Sequence, residues 1–197
     1  MFSSVMDIFV HRTPNLKRLI LDSNPSTAFP WTQLAHLTLV PDNMAIEKMG
    51  VLRKCTNLTS LDIRDFVMQN RNENSGLFVD LESISESPIV CSKMEVLTIR
   101  WHLPTDAPAD SSKHSIFRFL SCPSLKILHL RNYYSNWCST QSSWAHFDTF
   151  MAFSKRSSFR LTSLSIDSVP MSDSNLLHLL SRIPTLLDLT LMWNTVL

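Results

Sequence analysis

The spacing apolar-x-x-apolar-x-apolar occurs seven times along the 197-residue chain. The triplets are Leu16/Leu19/Leu21, Leu34/Leu37/Leu39, Leu58/Leu61/Ile63, Met94/Leu97/Ile99, Leu125/Leu128/Leu130, Leu161/Leu164/Ile166 and Leu186/Leu189/Leu191. Seventeen of the 28 leucines occupy these places, so a leucine-rich composition does not by itself account for the pattern. Side chains alternate faces along a strand, so the last two positions of a triplet point inward together. The first position packs from the turn before the strand. Each triplet therefore predicts a short strand whose remaining residues face outward.

The stretches between triplets predict helices. Met44–Lys54 places Ile46, Met49 and Leu52 near one helical face, after a candidate cap at Asp42 or Asn43. Leu77, Leu81 and Ile84 follow helical spacing, as do Ile116, Phe117 and Leu120 after Ser112. Phe147, Phe150 and Met151 follow Trp144; Leu176, Leu177, Leu179 and Leu180 follow a cap region at Ser172-Asp173-Ser174. Pro14, Pro123 and Pro184 each stand two residues before a triplet, where proline stops a helix. Between the first two triplets there is room only for an extended segment.

Helix, stop and strand thus recur in order. A fixed-phase repeat of strand and helix predicts a stacked α/β solenoid of the leucine-rich-repeat class. Its parallel strands form one curved sheet on the concave side. Helices and irregular segments form the convex side. Residues 1–197 are expected to be a single domain of about seven irregular repeats, with first triplet positions 18, 24, 36, 31, 36 and 25 residues apart. Neither end reads as a capping repeat, the pattern expected of a piece of a longer protein.

Composition adds mainly exclusions. A net charge of +1 gives no global argument for nucleic acid or an anionic membrane. No apolar run approaches the roughly 18 residues of a membrane helix. The opening MFSSVMDIFVHR lacks a basic n-region and does not read as a secretory signal, so the expected location is cytoplasmic or nuclear. The sequon Asn57-Leu58-Thr59 overlaps the third triplet and is read as packing rather than as a glycan site.

The chain's two glycines are too few for a phosphate-cradling loop, and no H-E-x-x-H occurs. No nucleophile elbow is present either. The chain is expected not to be an enzyme and to use no cofactor or metal. Cys55, Cys91 and Cys122 each stand three residues before a triplet. They are expected to stack in the interior as small hydrophobes, while Cys138 is off-phase.

The same phase marks the displayed residues. In the third to fifth strands these are Ser60, Asp62 and Arg64; Val96, Thr98 and Arg100; and Ile127, His129 and Arg131. The three arginines share one repeat position and are expected to form a column about 4.8 Å apart. Adjacent like charges destabilise, so Asp62, Asp65, solvent or an acidic partner must offset them. Post-strand loops near Phe66–Ser75, Trp101–Ser112 and Asn132–Ser143 are expected on one rim, with Trp101, Tyr133, Tyr134 and Trp137 among them. Exposed Trp, Tyr and Arg are enriched at binding hot spots. The candidate partner-binding set is Asp62, Arg64, Thr98, Arg100, Trp101, His129, Arg131, Tyr133, Tyr134 and Trp137, and reversing the three arginine charges is expected to abolish binding.

Written out, the repeat starts are CTNLTSLDI, CSKMEVLTI and CPSLKILHL at 55–63, 91–99 and 122–130, with TPNLKRLIL at 13–21 and IPTLLDLTL at 183–191. This wording, the irregular intervals and the Ser/Trp-rich insertions resemble the leucine-rich-repeat region of fungal F-box-type proteins. The resemblance implies a non-catalytic module that selects protein substrates for a ubiquitin ligase on its concave face. A Skp-type adaptor would bind only through an F-box outside this chain, because no Leu-Pro-x-Glu-type segment precedes the first repeat. The alternative reading is a stand-alone scaffold or inhibitor. The asparagine that closes regular repeats occurs only at Asn24 and Asn194, so no asparagine ladder is expected.

Overall fold

The computed structural model describes residues 13, 15–21, 29–40, 50–67, 87–102, 115–132, 144 and 146–192. Each triplet lies at a strand: β1 (Arg18–Leu21), β2 (His36–Leu39), β3 (Ser60–Val67), β5 (Val96–His102), β7 (Ile127–Asn132), β8 (Ser163–Asp167) and β9 (Asp188–Met192). These seven form one sheet in which every pairing is parallel and the spatial order follows the chain. Two short strands, β4 (Ile89–Val90) and β6 (Leu120–Ser121), pair separately. The fold is mixed α/β around this sheet.

The register keeps the triplet phase. Leu19, Leu37, Leu61, Leu97, Leu128, Leu164 and Leu189 stand side by side, and so do Leu21, Leu39, Ile63, Ile99, Leu130, Ile166 and Leu191. In the five inner strands both rows are buried. A shift of one residue would turn every one of these side chains to the other face, so burial locks the register.

The turn before six of the seven strands is equally regular. The first residue of a triplet donates its N–H to the carbonyl three residues earlier: Leu16 to Thr13, Leu34 to Trp31, Leu58 to Cys55, Met94 to Cys91, Leu125 to Cys122 and Leu186 to Ile183. Pro123 and Pro184 hold the second position of two of these turns, where the fixed proline φ fits. They shape a turn rather than only ending a helix. One carbonyl per repeat then accepts two N–H groups from the next: Lys17, Ala35, Thr59, Glu95, Lys126 and Thr162 fill this role in succession.

Two of the expected helices form, but of their expected apolar residues Met151 is only partly buried and Leu177 is exposed. Helix α1 (Phe147–Ser157) buries Phe147, Phe150 and Phe153, and α2 (Asp173–Ser181) begins where the Ser172 hydroxyl accepts from the Asn175 N–H. The segment after Ser112 differs from expectation. Ile116–Arg118 is a single 3-10 turn, and Leu120 already belongs to β6. Few residues remain before the Cys122 turn, and Cys91 N–H draws the Ser121 carbonyl into the β4–β6 pair. Trp31–Gln33 is also a 3-10 turn, within the stretch read as extended. The helix expected at 44–54 is described only from Gly50, and the one at 77–84 lies outside the described residues.

Behind the sheet, α1 packs on the 3-10 turn through rings. Phe117 lies 5.1 Å from Phe150, 5.4 Å from Phe153 and 5.9 Å from Trp144, centroid to centroid. The Arg156 guanidinium closes this layer by donating to the carbonyls of Phe117 and Leu120. Leu58 of the sequon is buried, while Asn57 is exposed and donates to the Thr32 carbonyl. Among the described residues no helix is long and apolar enough to cross a membrane.

Cys55, Cys91 and Cys122 are buried free thiols. Burial, then the neighbouring Cys91, pushes the Cys55 thiol up to about 12. Hydrogen bonding to Cys91 and burial also raise Cys122. The sign follows from linkage: above pH 9 the unfolded chain loses the Cys55 proton while the folded chain keeps it. Stability from this thiol is therefore complete below about 9 and falls as pH rises toward about 12. Under reducing conditions, Cys55→Val is expected to flatten the decline of Tm across that window. An unchanged slope would contradict the buried neutral thiol.

Candidate functional site

The outward positions of the sheet form rows as regular as the buried ones. The middle row runs Ile20, Thr38, Asp62, Thr98, His129, Ser165, Thr190. A carboxylate and an imidazole thus stand among hydroxyl groups at the centre of the face. Toward the strand ends, Arg100 and Arg131 are direct register partners, and Arg131 in turn faces Asp167.

Arg64 departs from the expected column. The β3–β5 register shifts between Ile63 and Phe66, where Phe66 is already opposite Trp101. Residues 64 and 65 of β3 therefore span the interval that Arg100 alone spans on β5, as in a β-bulge. Repeat counting along one chain does not register such an insertion, because the extra residue follows the triplet.

Carboxylates within the face offset the crowded cations. The Arg64 Nε lies 2.9 Å from Asp62 Oδ2, and an Arg100 Nη reaches the same oxygen at 3.3 Å. Arg131 Nε donates to Asp167 Oδ2 at 2.8 Å. The Ser168 hydroxyl donates to Asp167 Oδ1 at 3.0 Å. Asp62 Oδ1 is buried with no hydrogen-bond partner among the described residues, so this carboxylate is held chiefly by the two arginine charges. Cross-strand opposite charges are stabilising, which removes the like-charge cost of placing Arg100 beside Arg131.

His129 is half-buried beside this network. Burial first, and the Arg100 charge second, push its proton affinity below the ordinary histidine value, while Asp62 acts in the other direction. Its imidazole is consequently neutral at pH 7 and can both donate and accept a hydrogen bond.

Asp62, Arg64, Thr98, Arg100, His129 and Arg131 are therefore neighbours on one face. The backbone of Trp101 continues β5, paired with Phe66 and Asn132. Phe66, Trp101 and Asn132 thus belong to strand ends rather than to the rim loops assigned to them, in keeping with the strand preference of aromatic residues. Tyr133, Tyr134 and Trp137 lie outside the described residues, as does Cys138.

Sequence reasoning missed Asn132, Asp167 and Ser168. Asn132 is buried and its amide donates to the Ser168 carbonyl at 3.2 Å. Ser168 is itself buried in the left-handed region, at φ 55°. Asp167 was within reach of the repeat frame: it follows its triplet as Arg100 and Arg131 follow theirs. Asn132 stands one residue short of the place where regular repeats carry asparagine, so the frame alone did not mark it. Among the described residues no three His, Cys, Asp or Glu side chains are grouped as metal ligands.

No family model matches the chain, and no solved structure does. A stretch of 84 residues is 33% identical to condensin-2 complex subunit G2 of the zebrafish Danio rerio. That stretch is 42% of this chain and spans 7% of the zebrafish protein.

Proposed function

We propose that the chain is a leucine-rich-repeat solenoid that binds protein partners on its outward sheet face and performs no chemistry itself. The observation that carries this reading is the strict sequential order of seven parallel strands in one triplet register. Such an arrangement leaves a continuous face of outward side chains with no structural duty in the core. Asp62, Thr98, Arg100, His129 and Arg131 give that face a centre of mixed charge with hydrogen-bonding groups of both kinds. A partner of mixed charge suits it better than a purely acidic one, because its own carboxylates already neutralise much of the arginine charge.

The resemblance to fungal F-box-type proteins supports a more specific role, selection of substrates for a cytoplasmic or nuclear ubiquitin ligase. The Skp adaptor would enter through an F-box supplied outside these residues. Co-purification of the tagged chain with and without an upstream F-box separates this role from a stand-alone scaffold: adaptor capture that depends on the F-box favours the ligase.

The face itself is tested by Arg64→Gln, Arg100→Gln and Arg131→Gln together. Glutamine keeps a donor near Asp62 and Asp167, whereas charge reversal would set like charges against them. Loss of three desolvated charged contacts is expected to weaken partner capture at least about tenfold. Full capture by a variant that circular dichroism shows to be folded would show that binding lies elsewhere.

A further inference from the structure

The two edges of the sheet are complementary to one another. In β9, Leu189 stands in the row that is fully buried in the inner strands, yet it is 40% exposed. Met192 is exposed beside it, and Leu187 just before the strand is 82% exposed. No described strand pairs with the outer side of β9. At the other edge, the outer side of β1 is equally unpaired, and Ile20 is 59% exposed. A sheet edge with exposed apolar residues is a template for another strand.

The internal register specifies how such a strand would fit. Arg18 holds the frame position that passes through His36, Ser60, Val96, Ile127 and Ser163 to Asp188. If β1 of a second copy added to β9 with the offset used six times inside the chain, Arg18 would face Asp188. Leu19 would cover Leu189, and Leu21 would cover Leu191. Leu187 stands where Thr162 stands one repeat earlier, and the Thr162 carbonyl accepts from the N–H groups of Leu187 and Asp188. By the same rule the Leu187 carbonyl would accept from Lys17 and Arg18 of the added strand.

We propose that β9 binds β1 of a second copy of this chain, head to tail and in parallel, with Arg18 and Asp188 paired across the junction. Backbone bonding and burial of Leu189 and Leu191 supply affinity, and the charge pair sets orientation. Antiparallel pairing of two β9 strands would leave Arg18 without a role. A contact of this heterologous kind leaves one free edge on each outer copy, so assembly continues past the dimer into a ring or a filament.

Sedimentation velocity of the full chain is expected to show growth beyond a dimer as concentration rises. Arg18→Asp sets a carboxylate against Asp188, and Asp188→Arg sets a guanidinium against Arg18. Each variant alone is expected to associate about tenfold more weakly, the effect of replacing an opposite-charge cross-strand pair by a like-charge one. Mixed in equal amounts, the two variants restore opposite charges at the junctions between them, and association should return to the level of the unmutated chain. Circular dichroism confirms that each is folded. A chain that stays monomeric up to its solubility limit overturns the proposal. So does Arg18→Asp that associates unchanged, which would indicate β9–β9 pairing, or a mixture of folded variants that stays apart. Should a reversal unfold the chain, Arg18→Gln and Asp188→Asn must each weaken association instead, and unchanged association would overturn it equally.

Discussion

Leu128→Ala is expected to cost the folded chain about 3 kcal/mol, and Leu189→Ala less than about 1 kcal/mol. The two leucines hold the same triplet position and differ only in where their strands lie. Leu128 is fully buried in β7, with Leu97 of β5 and Leu164 of β8 beside it. Truncation there removes apolar burial and leaves a cavity that the neighbouring strands cannot close without losing register. Leu189 is 40% exposed at the sheet edge, so less burial is lost and water fills the space. In urea, a loss of about 3 kcal/mol moves the midpoint down by roughly 1.5 M for a slope near 2 kcal/mol/M. The comparison belongs at high dilution, where chains are separate; at concentrations that favour association the Leu189 cost should grow. Equal costs at both sites in dilute solution would mean that β9 is covered within one chain.

Arg131→Met is expected to destabilise by about 2 kcal/mol, more than Asp167→Asn, at under about 1 kcal/mol. The pair is a single contact, but its halves are unequally exposed. The Asp167 side chain is 8% exposed, whereas that of Arg131 is 53% exposed. Removing the arginine charge leaves a nearly buried carboxylate with the Ser168 hydroxyl and little access to water. Neutralising the aspartate leaves a guanidinium that rehydrates, with an amide still able to accept from it. Denaturant unfolding of both variants at neutral pH measures the asymmetry. A larger loss from Asp167→Asn would mean that Arg131 depends on this carboxylate for more than charge. The result also bears on the binding test, because a partner-binding defect in Arg131 variants is interpretable only where the fold persists.

The two tests differ in how much of their basis was legible beforehand. The burial of Leu128 follows from periodicity, since a side chain two residues from another inward one must also point inward along a strand. Its neighbours follow once the strands are placed side by side in chain order. The expected stack of Cys55, Cys91 and Cys122 follows from the same phase. The pairing of Asp167 with Arg131 could have been anticipated by extending the outward frame one repeat further. The Arg64 displacement could not, because a register shift between β3 and β5 is a property of two strands together. Nor could the 3-10 turn at Ile116–Arg118, whose apolar spacing suits a helix but whose next residues are taken up by β6 and the Cys122 turn.

The sequence by itself determined the period, the places of the seven strands of the main sheet and which side of the five inner ones is buried. All of these depend on local geometry and on the transfer of leucine side chains out of water, and both are written in the order of residues. Only the tertiary structure decided which charges meet. Arg64 and Arg100 share Asp62, Arg131 takes Asp167, and Arg18 and Asp188 are left on opposite edges of one sheet. Electrostatic pairing depends on distances of a few ångströms between residues far apart in the chain, and those distances exist only once the strands have been laid in register.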